Sequence, residues 1–238
     1  MRIEKMLSNL GYGSRKEIKK LIKEKAIQVN GQVITDIGFD VNPCDKVVIF
    51  DEEAYYNDNL TILLHKPSGF ISSNIDEEYE SVIKLLEEKY QRQNLKVAGR
   101  LDMDSTGMLL LSNNGDLIHK IISPKSNVNK TYLVELEHDL TEEEKMILSS
   151  SMALKDAKGE FYITQAKEVK KVDDRHILIT IDEGKFHQVK RMVAYAKNEV
   201  IKLKRIQIGG LELGDLEEGQ YRILGEDDIE KIFQSEEK

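Results

Sequence analysis

Two stretches of this chain alternate between apolar and polar side chains, residues 130–136 and 200–208. Period-two alternation has one simple geometric solution, a β-strand with one face buried. Further strands read at 60–65, at the apolar run 108–111 and at 221–224, with 161–169 and 175–182 as an antiparallel pair. Helical spacing interrupts them. Val82, Leu85, Leu86 and Tyr90 fall on one helix face, as do Leu117, Ile118, Ile121 and Ile122. Thr141 and Glu144 cap another helix. Val189, Met192, Val193 and Ala196 line the inner side of a helix opened at His187, and a last helix starts at Glu226. Mostly antiparallel strands interrupted by helices define an α+β architecture and not a doubly wound sheet.

The first fifty residues read as a separate unit. Ile3, Met6, Leu7 and Leu10 recur at helical spacing, and Gly11 is placed to end that helix. Ser14 and Glu17 have capping-box spacing. The helix they open turns Ile18, Leu21 and Ile22 to one side and Arg15, Lys16, Lys19, Lys20, Lys23 and Lys25 to the others. Asn30 and Gly31 form a hairpin turn, and residues 45–50 close the unit as a strand. The expected organisation is a small domain over 1–50, a polar linker over 51–59, and a larger domain over 60–238.

Composition narrows the chemistry. Forty per cent hydrophobic and 33% charged residues describe a soluble globular chain with a core. No apolar run approaches membrane-spanning length and the start lacks the pattern of a signal peptide, so a cytoplasmic protein is expected. Cys44, alone of its kind, excludes an internal disulfide and is expected to be a small buried or half-buried residue. No phosphate-cradling glycine loop, metal-ligand spacing or dinucleotide fingerprint is seen, so no cofactor and no metal are expected. The net charge of −8 argues against a nucleic-acid partner until its distribution is considered. Residues 1–30 carry an excess of five positive charges and residues 185–205 an excess of six. Phosphate attraction decays over roughly 8–10 Å in physiological salt, so local patches outweigh the total. RNA is the expected partner.

Reactive groups concentrate in residues 99–107. Arg100, Asp102, Asp104, Ser105 and Thr106 stand between Gly99 and Gly107, just before an apolar strand. A carboxylate fixed at a strand edge beside a cation can serve as nucleophile or as acid/base. An ordinary turn held by a structural salt bridge uses the same residues, and spacing alone favours that reading.

The run from Gly99 to Asp102, followed by 105–115 (Ser105, Thr106, Gly107, four apolar residues, Ser112, Asn113, Asn114, Gly115), resembles the signature loop of pseudouridine synthases, in particular the ribosomal small-subunit type. Lys66, Pro67 and Gly69 after a strand also occur in that family, with His65 where Asn is most often found. The N-terminal unit, through Ser14, Arg15, Ile22, Val29, Asn30, Gly31, Asp45, Lys46 and Val47, is similar to the RNA-binding domain first described in ribosomal protein S-four.

The resemblance implies a mixed, mainly antiparallel catalytic domain that isomerises uridine in ribosomal RNA. Asp102 takes the place of the nucleophile. Tyr132 takes that of the aromatic residue that stacks on the target base and helps remove the proton from C5. Lys190, rather than Arg191, takes that of the cation paired with the nucleophile. Asp104 falls outside the catalytic slot. Arg100 would fill the space left by the flipped base or hold a nearby phosphate, and Leu203 would pack beside the base. Arg15, Lys16, Lys19 and Arg191 are expected to contact RNA. The isomerisation consumes no nucleotide or redox cofactor. The stretch 187–192 resembles the small-subunit enzyme, implying 16S rRNA and the uridine conventionally numbered 516, with the protein acting as a monomer and without a membrane. A large-subunit (23S) rRNA target is the nearest alternative. A non-catalytic rRNA-binding or ribosome-assembly factor is the other.

Overall fold

The computed structural model describes residues 1–42, 44–156 and 158–234. The last four residues of the expected 60–238 domain lie outside the described residues.

At the N-terminus, α1 (Ile3–Asn9) and α2 (Arg15–Lys23) pack on a four-stranded antiparallel sheet, in the order β2-β1-β3-β4. Its strands are β1 (Ile27–Val29), β2 (Gln32–Val33), β3 (Val47–Ile49) and β4 (Glu52–Glu53). Both halves of the capping box at α2 are present: the Glu17 N–H donates to Ser14 Oγ, and the Ser14 N–H donates to Glu17 Oε2 at 2.7 Å. Ile18 and Ile22 are buried, so Arg15, Lys16 and Lys19 are left in solvent. The segment 51–59 is less irregular than its sequence implies. Glu52 and Glu53 pair with β3, Ala54 is buried in the N-terminal core and Tyr56 packs against that core. Cys44 is exposed, not buried, because it lies between Asn42 and Asp45, which close a surface turn.

The larger sheet has nine strands: β5 (Thr61–Lys66), β6 (Lys96–Val97), β7 (Thr106–Ser112), β8 (Lys130–Leu136), β11 (Glu168–Lys171), β12 (His176–Ile181), β13 (Val200–Ile208), β14 (Leu211–Glu212) and β15 (Tyr221–Ile223). Its main path runs β11-β12-β8-β13-β7-β5-β15. Every pairing between these strands is antiparallel except one. β13 runs parallel to β7, with Lys204 opposite Thr106 and Arg205 opposite Gly107. Gly107 has φ of +104°, and a β-carbon there would press on the Arg205 carbonyl and lie 2.6 Å from the Arg205 nitrogen. Only glycine lets the two backbones come so close.

Helices α3 (Glu88–Gln91), α4 (Gly115–Ile122), α5 (Glu142–Leu148), α6 (Gln188–Tyr195) and α7 (Glu226–Ile232) surround the sheet. A core of Val134, Ile179, Met192 and Val193 lies under α6, and Leu101 joins it from the loop before β7. Separate cores cover β5 and β7, one with Ile118 and Ile121 of α4, the other with Val82, Leu86 and Tyr90.

Two expected elements divide. The helix read from Val82 to Tyr90 is a 3₁₀ turn (Val82–Leu85) and a short α3, separated by an extended Leu86 with ψ of 155°. The spacing of those apolar residues reported their common burial, which the chain achieves without a continuous helix. The strand read over 161–169 breaks as well. β10 (Phe161–Thr164) pairs with β9 (Met152–Lys155) in a separate two-stranded ribbon, and β11 alone pairs with β12. Ala166 is buried between the two pieces.

Candidate active site

Asp102 stands in the loop between β6 and β7, on the wall of a cleft of about 570 Å³. Its backbone is fixed on both sides. Before it, Ser72 Oγ donates to the Leu101 carbonyl at 2.8 Å and accepts from the Leu101 N–H at 3.0 Å. After it, the Lys66 ammonium donates to the carbonyls of Met103 at 3.1 Å and Ser105 at 2.8 Å, and to its neighbour Pro67 at 2.9 Å. The Gly69 N–H also donates to the Met103 carbonyl, at 3.0 Å. The stretch 66–72 is therefore the mount on which the aspartate loop sits.

Lys66 has no exposed surface. Burial pushes its ammonium down to about 8, against the opposing pull of Asp104, Asp102 and Glu218. A buried cation survives there because three carbonyl oxygens take its three protons. His65 is buried too, its Nδ1–H donating to the Leu216 carbonyl at 2.6 Å, and burial lowers its pKa below the ordinary histidine value. It supports the β5 end of the mount and does not line the cleft.

The opposing wall is built from β8, β13 and α6. Tyr132 and Leu203 are almost fully buried, yet both line the cleft. Lys190, on the first turn of α6, lies 3.4 Å from Asp102 Oδ2. The same ammonium donates to both oxygens of Asp104, at 2.7 and 2.9 Å. Lys190 is thus shared, with its shorter contacts to Asp104. Asp104 is 62% exposed and outside the cleft wall, whereas Asp102 is 27% exposed and within it. Burial alone would raise the Asp104 pKa, but the hydrogen bond and charge of Lys190, with a hydrogen bond from Ser105, bring it below the usual carboxylate value. Arg191 points away and donates to the Lys155 carbonyl. Arg100 is exposed where the main cleft adjoins a second one of about 360 Å³, whose walls also include Asp102 and Phe186. Arg15, Lys16 and Lys19 belong to α2 and are not part of either cleft wall.

Three side chains of the site escaped the sequence reading. His187, the N-cap of α6 with φ of +53°, brings Nε2 to 3.4 Å from Asp102 Oδ1. Lys130 lines the cleft two residues before Tyr132. Burial, then the charge of Arg205, lowers it to about 8 against the pull of Asp182. Arg205, counted above among surface cations, is buried. Its Nε donates to the Met108 carbonyl at 2.7 Å and Nη2 to the Gly99 carbonyl at 3.3 Å. The Lys-x-Tyr pattern could have signalled Lys130, and strict alternation in 200–208 put Arg205 on the same side as Leu203. Nothing in the sequence signalled the left-handed turn at His187.

The arrangement offers an accessible carboxylate flanked by a cation and an imidazole, facing an aromatic ring and an aliphatic side chain. That combination suits a planar, uncharged ring held beside a nucleophile.

Comparison with known proteins agrees with this chemistry. A family model described as RNA pseudouridylate synthase matches residues 60–195, and one described as S4 domain matches residues 1–47. An uncharacterized RNA pseudouridine synthase of Bacillus subtilis is 37% identical, with 96% of this chain and 97% of that protein covered. Ribosomal small subunit pseudouridine synthase A of Haemophilus influenzae is 34% identical over 98% of this chain and 99% of its own length. The Escherichia coli protein of that name is 32% identical over 98% and 100%. A crystal structure of a pseudouridylate synthase superposes with a TM-score of 0.68 at 32% identity, covering 98% of this chain and 99% of that one. With the motif, the cleft and the near full-length matches in agreement, this chain belongs to the RNA pseudouridylate synthase family and is a pseudouridine synthase acting on RNA, carrying an N-terminal S4 domain.

Proposed function

We propose that this protein converts one uridine of small-subunit ribosomal RNA, the position conventionally numbered 516 in 16S rRNA, to pseudouridine, with Asp102 as nucleophile. The observation that carries the residue assignment is the position of Asp102 in the cleft wall, with Lys190 and His187 each 3.4 Å from one of its oxygens. The substrate assignment is supported by the relatives named for the ribosomal small subunit, which align over nearly their whole length.

The reaction breaks the bond from uracil N1 to ribose C1′ and makes one from C5 to C1′. A proton leaves C5 and another arrives at N1, so the isomerisation balances internally. The uridine must leave its stack before these atoms can be reached, at a cost of a few kcal/mol that aromatic stacking offsets in part. Tyr132 supplies the ring face and Leu203 the opposing aliphatic contact. Asp102 addresses the ribose while the base detaches and turns over. Lys190 provides the opposing charge that keeps a carboxylate ionised once RNA covers the cleft. Arg100 lies at the cleft mouth, suited to the gap left by the base or to a phosphate. Arg15, Lys16 and Lys19 on α2, with Arg191, attract the RNA backbone through contacts that position but do not read sequence. The enzyme works as a cytoplasmic monomer.

Tritium release from RNA carrying 5-tritiated uridine tests the assignment. Asp102→Asn should abolish release while Asp104→Asn retains at least a tenth of the wild-type rate. Full release by Asp102→Asn refutes the nucleophile. Mapping the product in 16S and 23S transcripts tests the target, and release from 23S rRNA alone would overturn it. Absence of release from every rRNA and assembly intermediate would leave a binding factor.

A further inference from the structure

Running outward from the cleft, aromatic and cationic side chains form a connected strip, of which the chemistry above uses only His187 and Arg191. It starts at His187, whose ring stacks on Phe186 with centroids 3.7 Å apart. The Arg191 guanidinium lies 5.4 Å from the centre of the Phe186 ring and donates to the Lys155 carbonyl. The Lys155 ammonium in turn lies 5.0 Å over Phe161. Alongside, Lys185 sits 3.7 Å over Tyr162.

The β9–β10 ribbon explains why these groups face outward. Its register sets Lys155 opposite Phe161 and Ala153 opposite Ile163. Met152 and Leu154 are buried in the core, and Tyr162 packs against it, so the alternate residues must point to solvent. Phe161 is 71% exposed and Ile163 69%. Lone apolar residues on a surface need no explanation, but here they adjoin one another and are bordered by cations. The strip is also continuous with the site: Ile163 and Lys185 line the main cleft, and Phe186 and His187 line the second.

Exposed ring faces among ammonium and guanidinium groups are the surface that binds single-stranded nucleic acid, with bases stacked on the rings and phosphates on the cations. The location selects the ligand further. A uridine turned into the cleft stays covalently joined to its neighbours, which must leave past the cleft mouth. We propose that the strip from Phe186 through Arg191 and Lys155 to Phe161 holds the unpaired nucleotides flanking the target uridine. Phe161 and Phe186 stack on bases, and Lys155, Lys185 and Arg191 pair with phosphates. This rests on the reading of the protein as an RNA-modifying enzyme and adds the surface that seats the substrate strand.

The test compares wild type with Phe161→Ala and Lys155→Gln on transcribed small-subunit rRNA, by tritium release and by equilibrium binding. Phe161→Ala should raise KM and weaken binding by about 5- to 150-fold, the range for one stacked base, with kcat at saturation unchanged. Its salt dependence of binding should match wild type, whereas Lys155→Gln should flatten it. Both substituted side chains lie at the surface, so melting temperatures should not move. In a synthetic fragment with an abasic site at each flanking position in turn, one position should reproduce the Phe161→Ala loss and show no further loss in the variant. Wild-type KM and affinity in Phe161→Ala, or losses that simply add at every abasic position, overturn the proposal. So does a loss confined to partly assembled subunits, which would assign the strip to a protein partner. Should wild type modify no RNA, the enzymatic reading fails, and equal binding of the naked transcript by wild type and Phe161→Ala would still overturn the strip independently.

Discussion

Replacing Gly107 with alanine attacks a close backbone approach beside the site. The new β-carbon would lie against the Arg205 carbonyl and 2.6 Å from the Arg205 nitrogen, where real β-carbons do not come closer than 3.0 Å. These neighbours are main-chain atoms, so no rotamer change relieves the overlap and β13 itself must move. Two costs add. Holding a residue with a β-carbon at φ of +104° costs about 1–3 kcal/mol. Forcing packed backbone apart costs about 1–3 kcal/mol more. The sum, about 2–6 kcal/mol, lowers the melting temperature of a chain this size by about 4–24 °C. Gly219→Ala is the control. Gly219 also has positive φ, +83°, but nothing lies within 4 Å of a β-carbon there, so only the backbone term applies. Thermal unfolding followed by circular dichroism should therefore place Gly107→Ala well below Gly219→Ala. The displaced β13 carries Leu203 and Arg205, so tritium release should fall by about a hundredfold, as expected for misplacement near 1 Å. If Gly107→Ala melts with Gly219→Ala and turns over at the wild-type rate, the close approach has no structural role and the reasoning fails.

Lys66→Met should leave the Ser105 carbonyl without its lysine donor and the Met103 carbonyl with the Gly69 N–H alone, destabilise the protein by about 1–3 kcal/mol by urea unfolding, and lower kcat more than tenfold, although Lys66 does not line the cleft. An unchanged kcat would remove the mount from the account of the site. Lys130 gives a pH signature. Its folded-state pKa of about 8 lies below the ordinary 10.5, so from pH 8 to 10.5 the unfolded chain binds the extra proton and this residue's contribution to stability rises with pH. The stability of wild type relative to Lys130→Met should grow by about 1–2 kcal/mol between pH 8 and 9.5, and a difference that shrinks would contradict the burial argument.

The parts of the fold visible in the sequence were those with local causes. Ser14 with Glu17 and Thr141 with Glu144 both form the capping boxes their spacing implied, because each joins groups three residues apart. Alternation identified β8 and β13, whose side chains face a buried layer on one side. Where apolar spacing was the sole guide it showed burial without backbone conformation, hence the divided helix at Leu86 and the strand broken near Ala166. The site divides in the same way. Asp102, Tyr132 and Leu203, singled out by resemblance, meet in one cleft from three separate segments, and Lys190 reaches Asp102 from a fourth. The residues that hold them, Lys66, Ser72 and Arg205, act on backbone carbonyls of distant segments. A carbonyl is the same at every position, so such bonds leave no pattern in the sequence.

The parallel ladder of β7 with β13 spans just two registered residue pairs. To one side, β5 and β7 have cores of their own; to the other, β8, β12 and the Leu203 end of β13 share a core with α6, while Ile208 at the far end of β13 packs with β5 and β7. The two halves of the sheet thus meet at two backbone rungs, backed by the packing of Ile208 and by Arg205, which donates to the Met108 and Gly99 carbonyls. Asp102 belongs to the loop that enters β7 and is anchored through Leu101 in the α6 core, whereas Lys190, Tyr132 and Leu203 come from α6, β8 and β13. A shift along that seam would change the gap between carboxylate and ammonium, so the contacts that close it set the reactive geometry from outside the cleft.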